Sequence, residues 1–357
     1  MTELGEASFF LGMGIVRDRG SRTLALSQER YGREVLGRFG MESCKPARTP
    51  LPSGFKFHRT VEKTGGGEID APHPVQQYQS AVGSLMYLVT GTRPDLGFAV
   101  GAASRFLTCP TSHQWEGILH VMRYLQGTLR HSLILGGAEG ETGHALKLIG
   151  YSDADWGAND EERRSISGYS FFLGGGLVSW SSKRQATPAL SSTEAEYMAL
   201  ARATKEALWL QRVVGGLLGK TPGTVPIHVD NSSCISLSKN PEDHDRTKHI
   251  DIQYHFLRHH VALKHVRIHY CPTEEMVADV MTKGLKREKH DWCVRAMMLI
   301  GPSGAAGDEE AAPQEDGTCS RGTAEDAKAP QKREGAPVAD TSASRSPRSG
   351  IGQKDVA

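Results

Sequence analysis

The segment YSDADWGAND, residues 151–160, sets Asp153 and Asp155 two positions apart where an apolar run ends. Asp favours turns because its side chain can bond its own backbone, so this pair alone reads either as an acidic turn or as the edge of a metal site. Three more carboxylates stand at comparable places. Asp230 closes the short apolar run VPIHVD, Glu196 lies early in a long helical pattern, and Asp279 sits among Val277, Ala278, Val280 and Met281. Taken singly, Asp230 could cap the helix that follows it and Glu196 could be a solvated helix carboxylate. Asp279 is harder to place, because a charge among apolar neighbours is costly to bury unless it is paired or metal-bound. Four carboxylates brought together would repel unless cations neutralised them, and hard divalent ions, magnesium above all, take such oxygen ligands.

The surrounding pattern says where these residues would fall. LKLIGYSDAD reads as a strand and GYSFFLGGGLVSWSS as a hairpin turning on glycines. SSTEAEYMALARATKEALWLQRVVGGLLG reads as a long helix opened by Ser/Thr caps and closed by glycines. VPIHVD is a short strand followed by a helical turn, DIQYHFLRHHVAL is helical, HVRIHYC alternates as a strand, and TEEMVADVMTKGL is expected to be a final helix. This order predicts an α/β domain with Asp153 and Asp230 at strand ends, where α/β sheets build their sites. Trp156, Trp180 and Trp209 fall in strand and helix patterns and are expected in the core.

Upstream, FFLGMGIV and TLALS form an expected hairpin, SQERYGREVLGRFG an amphipathic helix, 44–76 a Pro- and Gly-rich linker, and 78–135 a helical stretch. From Gly301 onward there is no aromatic residue and no Leu; such a tail cannot bury enough apolar surface to offset the entropy of ordering it, and 301–357 is expected to be disordered. The formal net charge of +1 announces no bulk attraction to nucleic acid. Six cysteines without a CxxC pair (Cys44, Cys109, Cys234, Cys271, Cys293, Cys319) suit an intracellular protein with reduced thiols. The N-terminus has no basic run of a secretory signal, and no apolar run approaches the ~20 residues that span a bilayer. Seven of the fifteen histidines fall in 244–269, but the spacing of His244, His249 and His255 matches no compact zinc motif and no cysteine pair completes a tetrahedral set.

YSDADWG, RSISGYSFFLGG, VSWSSKRQ, SSTEAEYMAL, EALWL, VDNSSCISLSKNP, HDRTKHIDIQYHF and VADVMTKGL occur in the order seen in the ribonuclease H domain of copia-type retrotransposon Pol polyproteins. The resemblance covers 146–300 nearly without gaps. FFLGMGIVRD, LSQERYGREVLGRFGM and CKPARTPL resemble the end of that polyprotein's reverse transcriptase, and YQSAVGSLMYLVTGTRPDLGFAV with WEGILHVMRYLQGT resembles the segment joining it to the nuclease. The family's Tyr-x-Asp-Asp polymerase motif does not occur in this sequence, which therefore resembles a Pol fragment without polymerase chemistry. GAND stands where many relatives read Ala-Gly-Asp and removes no ligand position.

The resemblance implies an α/β, ribonuclease H-like fold: a mixed five-stranded sheet with flanking helices, preceded by a partial reverse-transcriptase and connection region and followed by the tail. The implied divisions are 1–50 (reverse-transcriptase remnant), 51–77 (linker), 78–145 (helical connection), 146–300 (ribonuclease H domain) and 301–357 (tail). The implied activity is cleavage of the RNA strand of an RNA–DNA hybrid with two magnesium ions ~3.5–4 Å apart, manganese being able to substitute. Asp153, Glu196, Asp230 and Asp279 inherit the catalytic and metal-holding roles. Asp153 is the natural bridging ligand, Glu196 is chosen over Glu194 on the pattern EYMAL, and Asp155 becomes a neighbour. Lys183, Arg184, Arg246, Lys248 and His249 are the implied substrate-binding residues, the basic ones making phosphate contacts that carry affinity without sequence information. The implied partners are the hybrid and the rest of the Pol polyprotein, with no membrane, in the cytoplasm, the nucleus or a virus-like particle. An alternative stays open: a decayed or host-retained remnant that binds nucleic acid without cutting it. A purely structural interaction module with the tail as its binding element is a third reading.

Overall fold

A computed structural model describes residues 5–58, 71–137, 147–157, 163–219, 222–239 and 251–300. The expected tail, and Arg246, Lys248 and His249 together with His244, lie outside the described residues. The described order begins with β1 (Phe9–Phe10), β2 (Met13–Asp18), β3 (Thr23–Ser27) and α1 (Glu29–Arg38). The helical stretch follows as α2 (Val75–Gly91), α3 (Gly97–Ala103) and α4 (Ser112–Gly127), and ends in β4 (Ser132–Gly136). Then come β5 (Leu148–Asp155), β6 (Ile166–Leu173), β7 (Gly176–Arg184), α5 (Ser192–Leu218), β8 (Val225–Val229), α6 (Ser232–Lys239), α7 (Asp251–Ala262), β9 (Val266–Tyr270), α8 (Arg287–Ala296) and β10 (Leu299–Ile300).

Two five-stranded sheets result. The first has the order β1-β2-β3-β4-β10, all antiparallel, so the expected β2–β3 hairpin is extended on both sides. Strand β4 corrects the reading of 78–135 as helical throughout: SLILG is a short run carrying β-branched Ile134, too short to hold a helix of its own. The second sheet has the order β7-β6-β5-β8-β9. Strand β5 pairs antiparallel with β6 and parallel with β8, and β9 continues the parallel half. This mixed sheet with helices on both faces is the ribonuclease H-like fold.

Strand alternation divides the cores. Tyr169 and Phe171 of β6 pack under α5 with Ala195, Leu200, Ala203 and Ala207. Phe172 and Leu177 lie in a separate core with Val277, Val280, Met281, Cys293 and Met297, which also takes Leu133 of β4 and Leu299 of β10. The helical layer has its own core around Tyr78, Leu85, Leu96, Val121 and Leu125, into which Leu51 and Phe57 are buried. Trp180 of β7 donates from Nε1 to the Val89 carbonyl of α2 at 2.8 Å, joining layer and sheet.

Two expectations change. TEEMVADVMTKGL forms two short 3-10 turns, Thr273–Glu275 and Val277–Met281, and the helix comes later as α8. Val277 to Met281 are buried on every side, which suits a tight turn wedged between elements better than a helix with one solvent face. Trp156 and Trp209 are not core residues: both are more than half exposed, Trp156 past the end of β5 with its Nε1 on the Ala189 carbonyl, Trp209 on the outer face of α5.

Candidate metal centre

Central strand β5 carries Asp153, whose register partner on β6 is Gly168, and that in turn faces Ser182 on β7. The glycine is required. A Cβ at position 168 would lie 2.7 Å from both Met281 Cβ and Thr282 Cγ2 and 3.2 Å from the Ala278 carbonyl oxygen. Its absence lets the Val277–Met281 turn lie directly on β6, and this brings Asp279 over Asp153. Asp230 arrives from the other side, immediately after β8, with Thr273 Oγ1 donating to its Oδ2 at 3.0 Å. Helix α6 is capped by the next residue: Asn231 Oδ1 accepts from Cys234 N at 3.0 Å. Oxygens of Asp153, Asp230 and Asp279 lie within 4.8 Å of one another.

Glu196 comes from the first turns of α5. Ser191 Oγ accepts from the Glu194 amide and the Glu194 carboxylate accepts from the Leu190 amide, so Glu194 closes a cap while Glu196, two residues on, faces Asp153 and Asp230. The Gln185 amide fixes this end of the helix, donating to Ser167 Oγ and to the Ala195 carbonyl, both at 2.9 Å. Glu196 Oε2 is buried without a hydrogen-bond partner.

Burial pushes the Asp153 carboxyl up, Lys283 opposes it, and Asp279 and Asp230 add to it. Glu196 is raised by burial first and then by the charges of Asp153 and Asp230. Burial also raises Asp155, which lies on the same face two residues along β5. Thr282 Oγ1 donates a hydrogen bond to Asp153 Oδ2. Carboxylates crowded away from water, with one oxygen lacking any donor, suit a hard cation: the donor set fits magnesium.

The basic residues divide. Arg184 shares a row and a face with Asp155, through Ile166, whereas Lys183 points to the α5 face with Ser167. The motif VADVMTKGL also contains Thr282 and Lys283, which the structure sets beside Asp153. The signal for Lys283 was its position four residues after Asp279, the spacing of a local ion pair; its ammonium lies 2.8 Å from Asp279 Oδ1.

A Pol polyprotein from tobacco transposon TNT 1-94 (Nicotiana tabacum) is 43% identical over 298 residues, covering 82% of this chain and 22% of the polyprotein. One from Arabidopsis thaliana transposon RE2 is 37% identical over 275 residues, covering 77% of this chain and 18% of the polyprotein. The chain belongs to the copia-type retrotransposon Pol family. It spans about a fifth of the length of these Pol relatives. A secreted RxLR effector protein 161 of Plasmopara viticola is 54% identical over 133 residues, 37% of this Pol-family chain and 90% of the effector. No protein-family model matches. A solved LC11-RNase H1, isolated from compost, covers 42% of the chain and 98% of its own length at 18% identity and a TM-score of 0.29, too slight a likeness to add to the strand order. Among the described residues no helix is long and apolar enough to cross a membrane.

Proposed function

We propose that this Pol-family chain is a ribonuclease that hydrolyses the RNA strand of RNA–DNA hybrids during reverse transcription, with Asp153, Glu196, Asp230 and Asp279 holding two magnesium ions, manganese being a substitute. The observation that carries the reading is the convergence of three carboxylates from β5, the end of β8 and the Val277–Met281 turn beside a fourth, buried one on α5. When bound, the ions would polarise the scissile phosphate and lower the pKa of the attacking water.

The chain's own residues prepare that chemistry. Thr282 fixes the Asp153 carboxylate, and Thr273 that of Asp230. Glu196 has two uses: in the cation-free site burial and the charges of Asp153 and Asp230 favour its neutral form, and in the loaded site the same carboxylate is available to orient the 2′-hydroxyl that marks a strand as RNA. Arg184 lies on the carboxylates' side of the sheet and is assigned to a phosphate of the hybrid. Lys183 would reach the backbone only around the sheet edge, and Arg246, Lys248 and His249 belong to the same proposed substrate contacts.

The test is magnesium-dependent cleavage of a labelled RNA–DNA hybrid, with duplex DNA, duplex RNA and Asp153→Asn as controls. Hybrid-only cutting that disappears in the variant supports the reading. A folded chain that binds hybrid and never cuts it would overturn the enzyme and leave the non-catalytic remnant.

A further inference from the structure

The carboxylate cluster already contains a cation. Lys283 follows the Val277–Met281 turn, and its Nζ lies 2.8 Å from Asp279 Oδ1 and 3.7 Å from Asp153 Oδ2. It therefore spans two of the three carboxylates whose oxygens converge. Lys289 behaves differently. Its Nζ is 3.7 Å from Asp279 Oδ2, but it also donates to the carbonyls of Thr273 at 2.9 Å and Glu274 at 2.6 Å and lies 4.3 Å from the centre of the Trp292 ring. Those bonds anchor Lys289 at the rim. Among the described residues the ammonium of Lys283 is paired with carboxylates alone, and its side chain is 35% exposed.

We infer that Lys283 is a resident counter-ion that occupies the place between Asp153 and Asp279 in the metal-free protein and is displaced when a divalent cation enters. The inference rests on the metal-site reading above. An ammonium and a divalent ion between the same two carboxylates repel each other at a few ångströms, where Coulomb energies in a partly buried site are large. A lysine can yield, because its charge rides on a flexible four-carbon stem that reaches water. Lys283 thus keeps the carboxylates assembled without metal, and it weakens metal uptake by competing for them.

The experiment is calorimetric titration of the whole chain with magnesium chloride, for wild type, Lys283→Met and Lys283→Arg, with thermal melts in chelator alongside. Lys283→Met is expected to bind magnesium about tenfold more tightly, while melting at a lower temperature than wild type in chelator. Lys283→Arg, which keeps the charge, is expected to return affinity toward the wild-type value. A lysine with only a structural role would lower the melting temperature without tightening magnesium binding. Equal or weaker binding by folded Lys283→Met overturns the inference and leaves the metal site standing, and Lys283→Gln serves as the neutral variant if Lys283→Met does not fold. If neither wild type nor the neutral variants take up magnesium, the metal site falls and this inference with it.

Discussion

Asp153 is nearly inaccessible to water, yet one of its oxygens is held by a hydroxyl and another charge is 3.7 Å away. Removing the hydroxyl should matter, since groups that orient metal-holding residues typically carry 10–100-fold effects. Thr282→Val is expected to weaken magnesium binding by about that factor, read by calorimetry, with the fold intact by circular dichroism. Protonation offers a second handle. The Asp153 and Glu196 carboxyls are both raised, so between the unfolded and folded pKa values the native chain binds more protons than the unfolded one. Metal-free stability must then fall as pH rises through that window. Melts in chelator from roughly pH 5 to roughly pH 9 should show this loss, and Glu196→Gln should flatten it because one of the two groups no longer ionises. Superimposable profiles for the two proteins would mean that Glu196 ionises no differently in the folded state.

The elements deliver these residues through one close approach. Gly168→Ala would set a methyl 2.7 Å from Met281 Cβ and Thr282 Cγ2. Overpacking of this kind typically costs about 1–3 kcal/mol, and here it should also lift the Val277–Met281 turn from β6. The expected result is a loss of hybrid cleavage larger than the shift in the denaturation midpoint explains; wild-type cleavage in the alanine variant would show that the turn tolerates displacement. Much of this was legible beforehand. The alternation in LKLIGYSDAD, the Ser/Thr caps before TEAEYMAL and the run VPIHVD mark β5, α5 and β8, and Asp279 among apolar neighbours marks a buried acid. The conformation around Asp279 was not legible. Helical spacing in TEEMVADVM is real, but burial of Val277–Met281 on every side is a tertiary fact and favours a compact 3-10 turn there. Strand β4 escaped notice because its partners, β3 and β10, are far away in sequence. Lys283 was visible as a residue, and its meaning depends on the turn that aims it at Asp153.

Across the whole molecule, the helical layer and the mixed sheet share polar as well as apolar joints. Arg93, fully buried, grips Asp95 through two bonds of 3.0 and 2.7 Å and also reaches the Thr128 carbonyl. Tyr124 donates to Asp95 and sets its ring edge-on to His290 of α8, next to Lys289. The guanidinium and two hydrogen bonds outweigh burial and hold the Asp95 carboxyl down at about 2. Arg93→Met would leave that carboxylate buried and unpaired, a loss of about 3–5 kcal/mol; urea denaturation checks it, and Arg93→Met with Asp95→Leu should recover much of the deficit. The pairing of β4 with β10 has a consequence in time. On a ribosome adding about 5–20 residues per second, β4 emerges roughly 160 residues before Leu299 and Ile300 can cover it. For on the order of 10 seconds the nascent chain carries an unclosed sheet edge, a template for pairing with any neighbouring strand. The pairing edge of β4 is therefore open during synthesis and is covered once Leu299 and Ile300 arrive.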